Sequence, residues 1–277
     1  MLKDILVHVP TTQPARPVVN YATSLAAKLG ARLDAIAFGY EPITAELTFE
    51  GAAAVAAVME LQREQALKNA DTALMAFEAE ARLQGLTFTS RRAAAIPAEA
   101  AETIGSLARL YDLTIVAQPD GKTTANYNLV PEAVLFNSGR PMLLVPYIHE
   151  RGFEALRVMI CWDGRRAAAR AVLDAMPFLT AAETVNIIAI NEDSETTEAT
   201  ASALATHLAR KDIAAKAERL TADRGTIDST ILSAAADRGA QLIVMGGYGH
   251  SRLRELVLGG ATRGILQSMT IPVLMSH

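Results

Sequence analysis

The sequence predicts an α/β protein made of two tandem five-stranded, mostly parallel open sheets with helices on both faces. Three observations carry this. Short, nearly continuous apolar runs alternate with alanine-rich helical stretches, the pattern of parallel strands covered on both faces. The order of elements starts again after Pro146, which makes an internal repeat the economical reading. At 277 residues and 51% hydrophobic content, the chain can bury a core in each of two domains. The expected bounds are residues 1–148 and 154–277.

In the first half, Ile5-Leu6-Val7-His8-Val9 reads as the first strand. Residues 17–29 read as a helix stopped by Gly30, and 32–38 as the second strand. Met59, Leu67, Leu74, Phe77 and Ala81 recur at helical spacing and predict one long helix over 55–84, stopped by Gly85. Strands are then expected at 86–89, 113–117 and 142–145, with a helix over 98–110. The segment 41–51 between the second strand and the long helix could be a lid or partner surface; a tolerated surface insertion is the default.

In the second half, strands are expected at 156–162, 185–190, 215–220, 241–245 and 272–275. Helices are expected at 165–179, 195–211, 226–238 and 261–267. The tails of the halves match best: 113–117 corresponds to 241–245, and 140–145 to 271–276.

A net charge of −4 gives no field that would draw the whole protein to nucleic acid or an anionic membrane, so neither is an expected partner. The single cysteine, Cys161, excludes an intrachain disulfide and reads as an inert core residue beside Trp162. The opening residues lead into a strand with no signal-peptide core, and no apolar run nears the roughly 18 residues a membrane span needs. A cytoplasmic location is the expectation.

The segment with most chemistry in it is Met245-Gly246-Gly247-Tyr248-Gly249-His250, followed by Ser251 to Leu258 and then Gly259-Gly260-Ala261-Thr262. It is a glycine-rich turn between a buried strand and a helix. Bare backbone can approach an anion there, and the helix start offers unpaired N–H groups and a positive dipole end. The alternative reading is steric, since strand-to-helix turns use glycine for packing alone. His250 could turn its amide and side chain to phosphate or lie on a surface loop. Arg252, Arg254 and Arg263 add positive charge that an exposed helix face paired with Glu255 explains equally well. Asp163, in Trp162-Asp163-Gly164 after the first strand of the second half, could bind a ribose or cap the helix that follows.

This βαβ order, the tandem duplication and the glycine spacing resemble the universal stress protein family over nearly the whole chain. The family's nucleotide pattern is Gly, two residues, Gly, nine residues, Gly and then Ser or Thr; Gly246, Gly249 and Gly259 stand at those spacings. Gly260 departs from it, replacing the hydroxyl residue, with Thr262 two positions on. The resemblance implies a Rossmann-like fold of the adenine nucleotide alpha hydrolase kind. It also implies ATP or a related adenine nucleotide, with or without Mg2+. Asp163 would sit at its acidic position, Ile190 at the adenine-contacting end of the second strand, and Gly246, Gly249, His250, Gly259, Gly260, Ala261 and Thr262 around the phosphates. It further implies that the last strands of the two halves pair as an intrachain pseudo-dimer, 142–145 against 273–275, and leaves a homodimer open.

The first half lacks these parts. Pro10 stands opposite Asp163 and Gln118 opposite Gly246, while the stretch from Gln118 to Asn128 holds one glycine. From Ile115 to Pro141 the chain is three residues shorter than from Ile243 to Pro272. Nucleotide binding is therefore expected in the second half alone, the first being a degenerate partner.

Competing readings fail on residues. A Walker loop is not expected. The dinucleotide fingerprint lacks its third glycine and its following acidic residue. The five histidines are dispersed and one cysteine cannot build a thiolate metal site, so no metal ligands are expected. Neighbouring His250 and Ser251 do not make a triad. No catalytic residue is assigned, and slow ATP hydrolysis would need a base that the sequence does not identify. Two function classes remain: a non-catalytic, ATP-binding stress-response protein whose occupancy biases a conformation or partner, and an ATP-independent interaction or scaffold module of the same fold.

Overall fold

The computed structural model describes residues 2–41, 52–119, 129–192, 198–247 and 261–277. The elements run β1 (Asp4–His8), α1 (Arg16–Leu29), β2 (Arg32–Tyr40), α2 (Ala52–Leu83), β3 (Phe88–Ala95), α3 (Pro97–Leu107), β4 (Leu113–Ala117), α4 (Leu129–Asn137) and β5 (Met142–Val145). The second half follows with β6 (Arg157–Cys161), α5 (Arg166–Asp174), α6 (Met176–Ala181), β7 (Thr184–Ile190), α7 (Ala201–Ala209), β8 (Ala215–Leu220), α8 (Ile227–Asp237), β9 (Leu242–Gly246), α9 (Ala261–Ser268) and β10 (Val273–Ser276).

The two expected sheets are joined into one of ten strands, ordered β3-β2-β1-β4-β5-β10-β9-β6-β7-β8. Within each half every pairing is parallel. The seam is antiparallel, with Val273 opposite Leu144, Leu274 opposite Leu143 and Met275 opposite Met142. That reversal points the carboxyl ends of the two halves at opposite edges of the sheet.

Alternation along the strands divides the core between two faces. Ile5, Val7, Val158 and Ile160 join one cluster with α1, α2, α5, α6 and α7. Leu6 and Met159 join the other with α3, α4, α8 and α9. Both clusters run through both halves, so the central strands β1, β4, β5, β6, β9 and β10 are almost wholly buried. The linker is anchored too. Phe153 meets Tyr21 edge-on at 5.6 Å and Phe178 at 5.6 Å, and its N–H donates to Ser24 Oγ at 2.6 Å, joining α1 of one half to α6 of the other.

Four expectations are corrected. β3 lies at Phe88–Ala95, several residues later than expected, because it lines up along β2 from Leu33 to Tyr40 and exposes Arg91 and Arg92 on the sheet's outer edge. The helix expected over 165–179 is broken into α5 and α6 at Ala175; Pro177 in the first turn of α6 lacks an N–H to continue it. The helix expected over 195–211 is described as 201–209, and its N-cap Thr200 accepts from the Ala203 N–H at 3.1 Å. Helix α4 was not expected, because its apolar run, with Pro131 inside, has no helical period.

Candidate functional site

Strands β7, β6 and β9 lie side by side, with Cys161 level with Ile188 on one flank and Met245 on the other. Helix α5 leaves β6 towards one face and α9 follows β9 on the other. The chain therefore diverges between β6 and β9, and a crevice opens outside their carboxyl ends, where ligands bind in open α/β sheets. Asp163 follows β6, Ile190 ends β7 and Gly246 ends β9. Across two strand spacings these ends span about 10 Å. Thr262 is buried at the start of α9, after the loop. Ala261 opens that helix. The structure thus brings Asp163, Ile190 and Gly246 to one edge; Gly249, His250, Gly259 and Gly260 lie outside the described residues, as do Ser251, Arg252, Arg254 and Glu255.

Each strand end is fixed locally. Asp163 is exposed, and its carboxylate accepts the Arg165 N–H at 3.0 Å, bracing a turn in which Gly164 has φ +70°. The cap foreseen for it is not made, since Arg165 is the N-cap of α5 with no side-chain capping bond, and the exposed Asp163 carboxylate braces only the turn before the helix. Trp162 donates its indole N–H to the Ala199 carbonyl at 2.7 Å and so ties the segment before α7 to the end of β6. Past Ile190, Asn191 takes a left-handed φ of +55°. Its side chain donates to the Ala222 carbonyl at 2.7 Å and accepts the Ala222 N–H at 3.0 Å, clamping the ends of β7 and β8 together. The sequence reading passed over Asn191. An asparagine directly after an apolar strand, a residue type that tolerates positive φ, was the available signal.

The two described glycines of the loop, Gly246 and Gly247, are explained by packing. A Cβ on Gly246 would lie 2.6 Å from the Ala168 backbone nitrogen, so α5 presses against bare backbone there. A Cβ on Gly247 would meet the Leu135 side chain of α4 at 2.6 Å. The Gly247 N–H donates to the Ser276 carbonyl at 2.8 Å, and its own carbonyl lies 3.0 Å from His277 Nδ1. The stem of the loop is therefore held by both halves. Neither glycine leaves a vacancy in which an anion would sit, so a phosphate cradle would have to come from Gly249 and Gly259 and from main-chain N–H groups.

Burial pushes the Cys161 thiol up to about 12, with the negative charge of Asp163 adding to it, so the group stays protonated and is a poor nucleophile. Among the described residues no three His, Cys, Asp or Glu side chains gather as cation ligands. No described helix is long and apolar enough to cross a membrane.

At the matching edge of the first half, His8 ends β1 in the place of Cys161. It is buried, packs 5.8 Å from the Phe38 ring, has no partner for Nε2, and burial pushes its pKa down to about 4. The register corrects the expected pairing: Ile115 is level with Val7 as Val244 is with Ile160, and the Gln118 N–H donates to Val145 as the Gly247 N–H does to Ser276, so Gln118 stands where Gly247 does and Ala117 where Gly246 does. Gln118 is buried and reaches across to donate to the Leu266 carbonyl of α9 at 3.0 Å, while its main-chain carbonyl accepts from Gln13 at 3.0 Å. The rest of that loop, 120–128, lies outside the described residues.

Comparison with known proteins agrees with this geometry. The model of the universal stress protein family matches residues 156–277. Over 50 residues the chain is 40% identical to a universal stress protein from Synechocystis, a stretch covering 18% of this chain and 17% of that protein's length. Among solved structures, the universal stress protein of Archaeoglobus fulgidus superposes with a TM-score of 0.68 at 15% identity over 97% of both chains. A functionally unknown Pseudomonas aeruginosa protein gives a TM-score of 0.61 at 17% identity, over 99% of this chain and 92% of that one. At these identities the two structures establish a shared fold over both halves.

Proposed function

We propose that this chain, which belongs to the universal stress protein family through residues 156–277, holds one adenine nucleotide in its C-terminal half and uses occupancy as a regulatory signal in a stress response, without turning the nucleotide over. The observation that carries this is the contrast at equivalent strand ends: an exposed carboxylate at Asp163 and no side chain at Gly247, against a buried Pro10 and a buried Gln118 in the first half.

In this reading the main chain at Ile190 meets the adenine and Asp163 accepts from a ribose hydroxyl. Main-chain N–H groups of the loop from Gly246 through Gly249 to Gly259, with His250, hold the phosphates. Gly260, Ala261 and Thr262 at the entry of α9 complete their surroundings with the positive end of the helix. ATP, with Mg2+ carried on its phosphates, is the proposed ligand. The units are 1–148 and 154–277, an intrachain pseudo-dimer about the β5–β10 seam, working in the cytoplasm.

The packing of Gly246 against α5 and of Gly247 against Leu135 favours a second reading, a scaffold of the same fold that binds no nucleotide. One experiment separates the two. The purified protein is denatured, released nucleotides are identified by chromatography and mass spectrometry, and ATP is titrated into the folded protein by calorimetry. Released adenine nucleotide, or binding at up to millimolar ATP, is the expected outcome; neither would leave the scaffold.

A further inference from the structure

We propose that a cleft where the two halves meet, between the end of α5 and the start of β5, binds a small aromatic carboxylate. Its volume is about 580 Å3, within the range of small-molecule sites. The first half contributes Leu2, Asp112 and Arg140 to its walls, the second Arg170, Leu173 and Met176.

The repeat places a matching cleft across the β5–β10 seam, and there the chain fills it. Helices α1 and α6 end at equivalent positions, Leu29 and Ala181, each three residues before the second strand of its half. Counting back, Leu173 answers to Tyr21, Met176 to Ser24 and Thr180 to Lys28. Those three residues of α1 hold Phe153 of the linker: Tyr21 meets its ring edge-on at 5.6 Å, Ser24 Oγ accepts its N–H at 2.6 Å, and Lys28 Nζ stands 5.5 Å from the ring centre. Asp112 answers to Gln241, since each accepts the two main-chain N–H groups that open the first strand of its half, from Lys3 and Asp4 in one and Leu156 and Arg157 in the other. Gln241 also donates to the Glu154 carboxylate at 2.7 Å. The linker therefore brings an aromatic ring and the carboxylate beside it to one cleft.

The other cleft has no such cover. Tyr21, packed on Phe153, is 0% exposed, whereas its counterpart Leu173 is 63% exposed. A ring set against Leu173 and Met176 would remove that apolar surface from water. The polar groups select the ligand's charge. The Asp112 carboxylate is occupied by its two main-chain donors, and that of Asp174 accepts from Arg170 at 2.8 Å and from the Ser276 hydroxyl at 2.8 Å. Arg140 is different. It stands where the second half has Ile271, because Pro141 and Pro272 accept alike from Thr114 and Ile243. It is exposed, and among the described residues it bonds only through Nε, to the Arg109 carbonyl at 3.4 Å. Its terminal nitrogens are left to take a carboxylate in a two-pronged pair.

Calorimetric titration of the full chain with phenylpropionate reads this directly. Phenylpropanol, phenethylamine and acetate supply the ring without charge, the ring with the opposite charge, and the charge without the ring. The expected result is one saturable site per chain for phenylpropionate below ~10 mM, with the other three weaker by about tenfold or more. Arg140→Ile, which installs the residue of the filled side, and Leu173→Glu, which sets a like charge on the wall, should each weaken binding by about tenfold. The thermal midpoint should stay unchanged in both, since both side chains are exposed. No saturable binding, equal binding of the alcohol or the amine, or binding indifferent to either substitution would overturn the proposal.

Discussion

At equivalent strand ends the two halves carry different groups. At the first strand of each, His8 and Pro10 stand where Cys161 and Asp163 do; at the fourth, Gln118 stands where Gly247 does; at the second, Gly39 stands where Asn191 does. The strand order and parallel pairing around these positions are the same. Identical topology therefore fixes where a crevice lies, and the few residues at its mouth decide what it presents. The first half carries a buried Gln118 there and uses that side chain to grip α9. The second keeps exposed polar groups at its own. The difference teaches that function lives in the site while the fold supplies its place.

Exchanging residues between the halves sharpens this comparison. The largest effect is expected from Gly39→Asn, which installs the residue found at the equivalent Asn191. The new Cβ would press on the Ala66 carbonyl, and overpacking against backbone that cannot yield should cost about 3 kcal/mol in urea unfolding. A loss under about 1 kcal/mol would mean that α2 is not seated on Gly39.

His8→Cys comes next and is read against pH. Burial lowers the His8 pKa from 6.5 to about 4, so the folded state takes up its proton later than the unfolded chain. Its contribution is complete above pH 6.5 and is lost as pH falls towards 4, amounting to about 3 kcal/mol. His149, also lowered chiefly by burial, adds in the same direction. The variant should unfold with a flatter pH dependence across that window; an unchanged slope would show that His8 is not buried neutral.

Asn191→Glu removes both bonds to Ala222 and puts a residue without asparagine's tolerance at positive φ. It should cost about 1 to 2 kcal/mol and weaken ATP binding more than it weakens the fold, because it loosens the strand end at Ile190. Stability lost with affinity unchanged would detach Ile190 from the site.

Much of the fold was legible because the central strands are buried on both faces and so read as unbroken apolar runs, as at Leu113–Ala117 and Met142–Val145. The edge strand β3 was misplaced because one side of it faces solvent and Arg91 and Arg92 interrupt its pattern. The split at Ala175 could have been read from Pro177, had its missing N–H been weighed against the surrounding periodicity. At the site, Asp163, Ile190 and Gly246 could be placed from the ends of strands. The reach of Gln118 to Leu266, the seating of Gly246 on α5 and the hold of Asn191 on Ala222 depend on how distant segments approach, which no local spacing records.

The central claim is one nucleotide site per chain, in the second half. Its most direct measurement is the stoichiometry of ATP binding, followed by calorimetry and by the fluorescence of Trp162, the only tryptophan and the neighbour of Asp163. The account predicts a single equivalent per chain, lost in Gly249→Val while the fold stays intact and retained in Gln118→Ala. Two equivalents, or one that survives Gly249→Val, would contradict it.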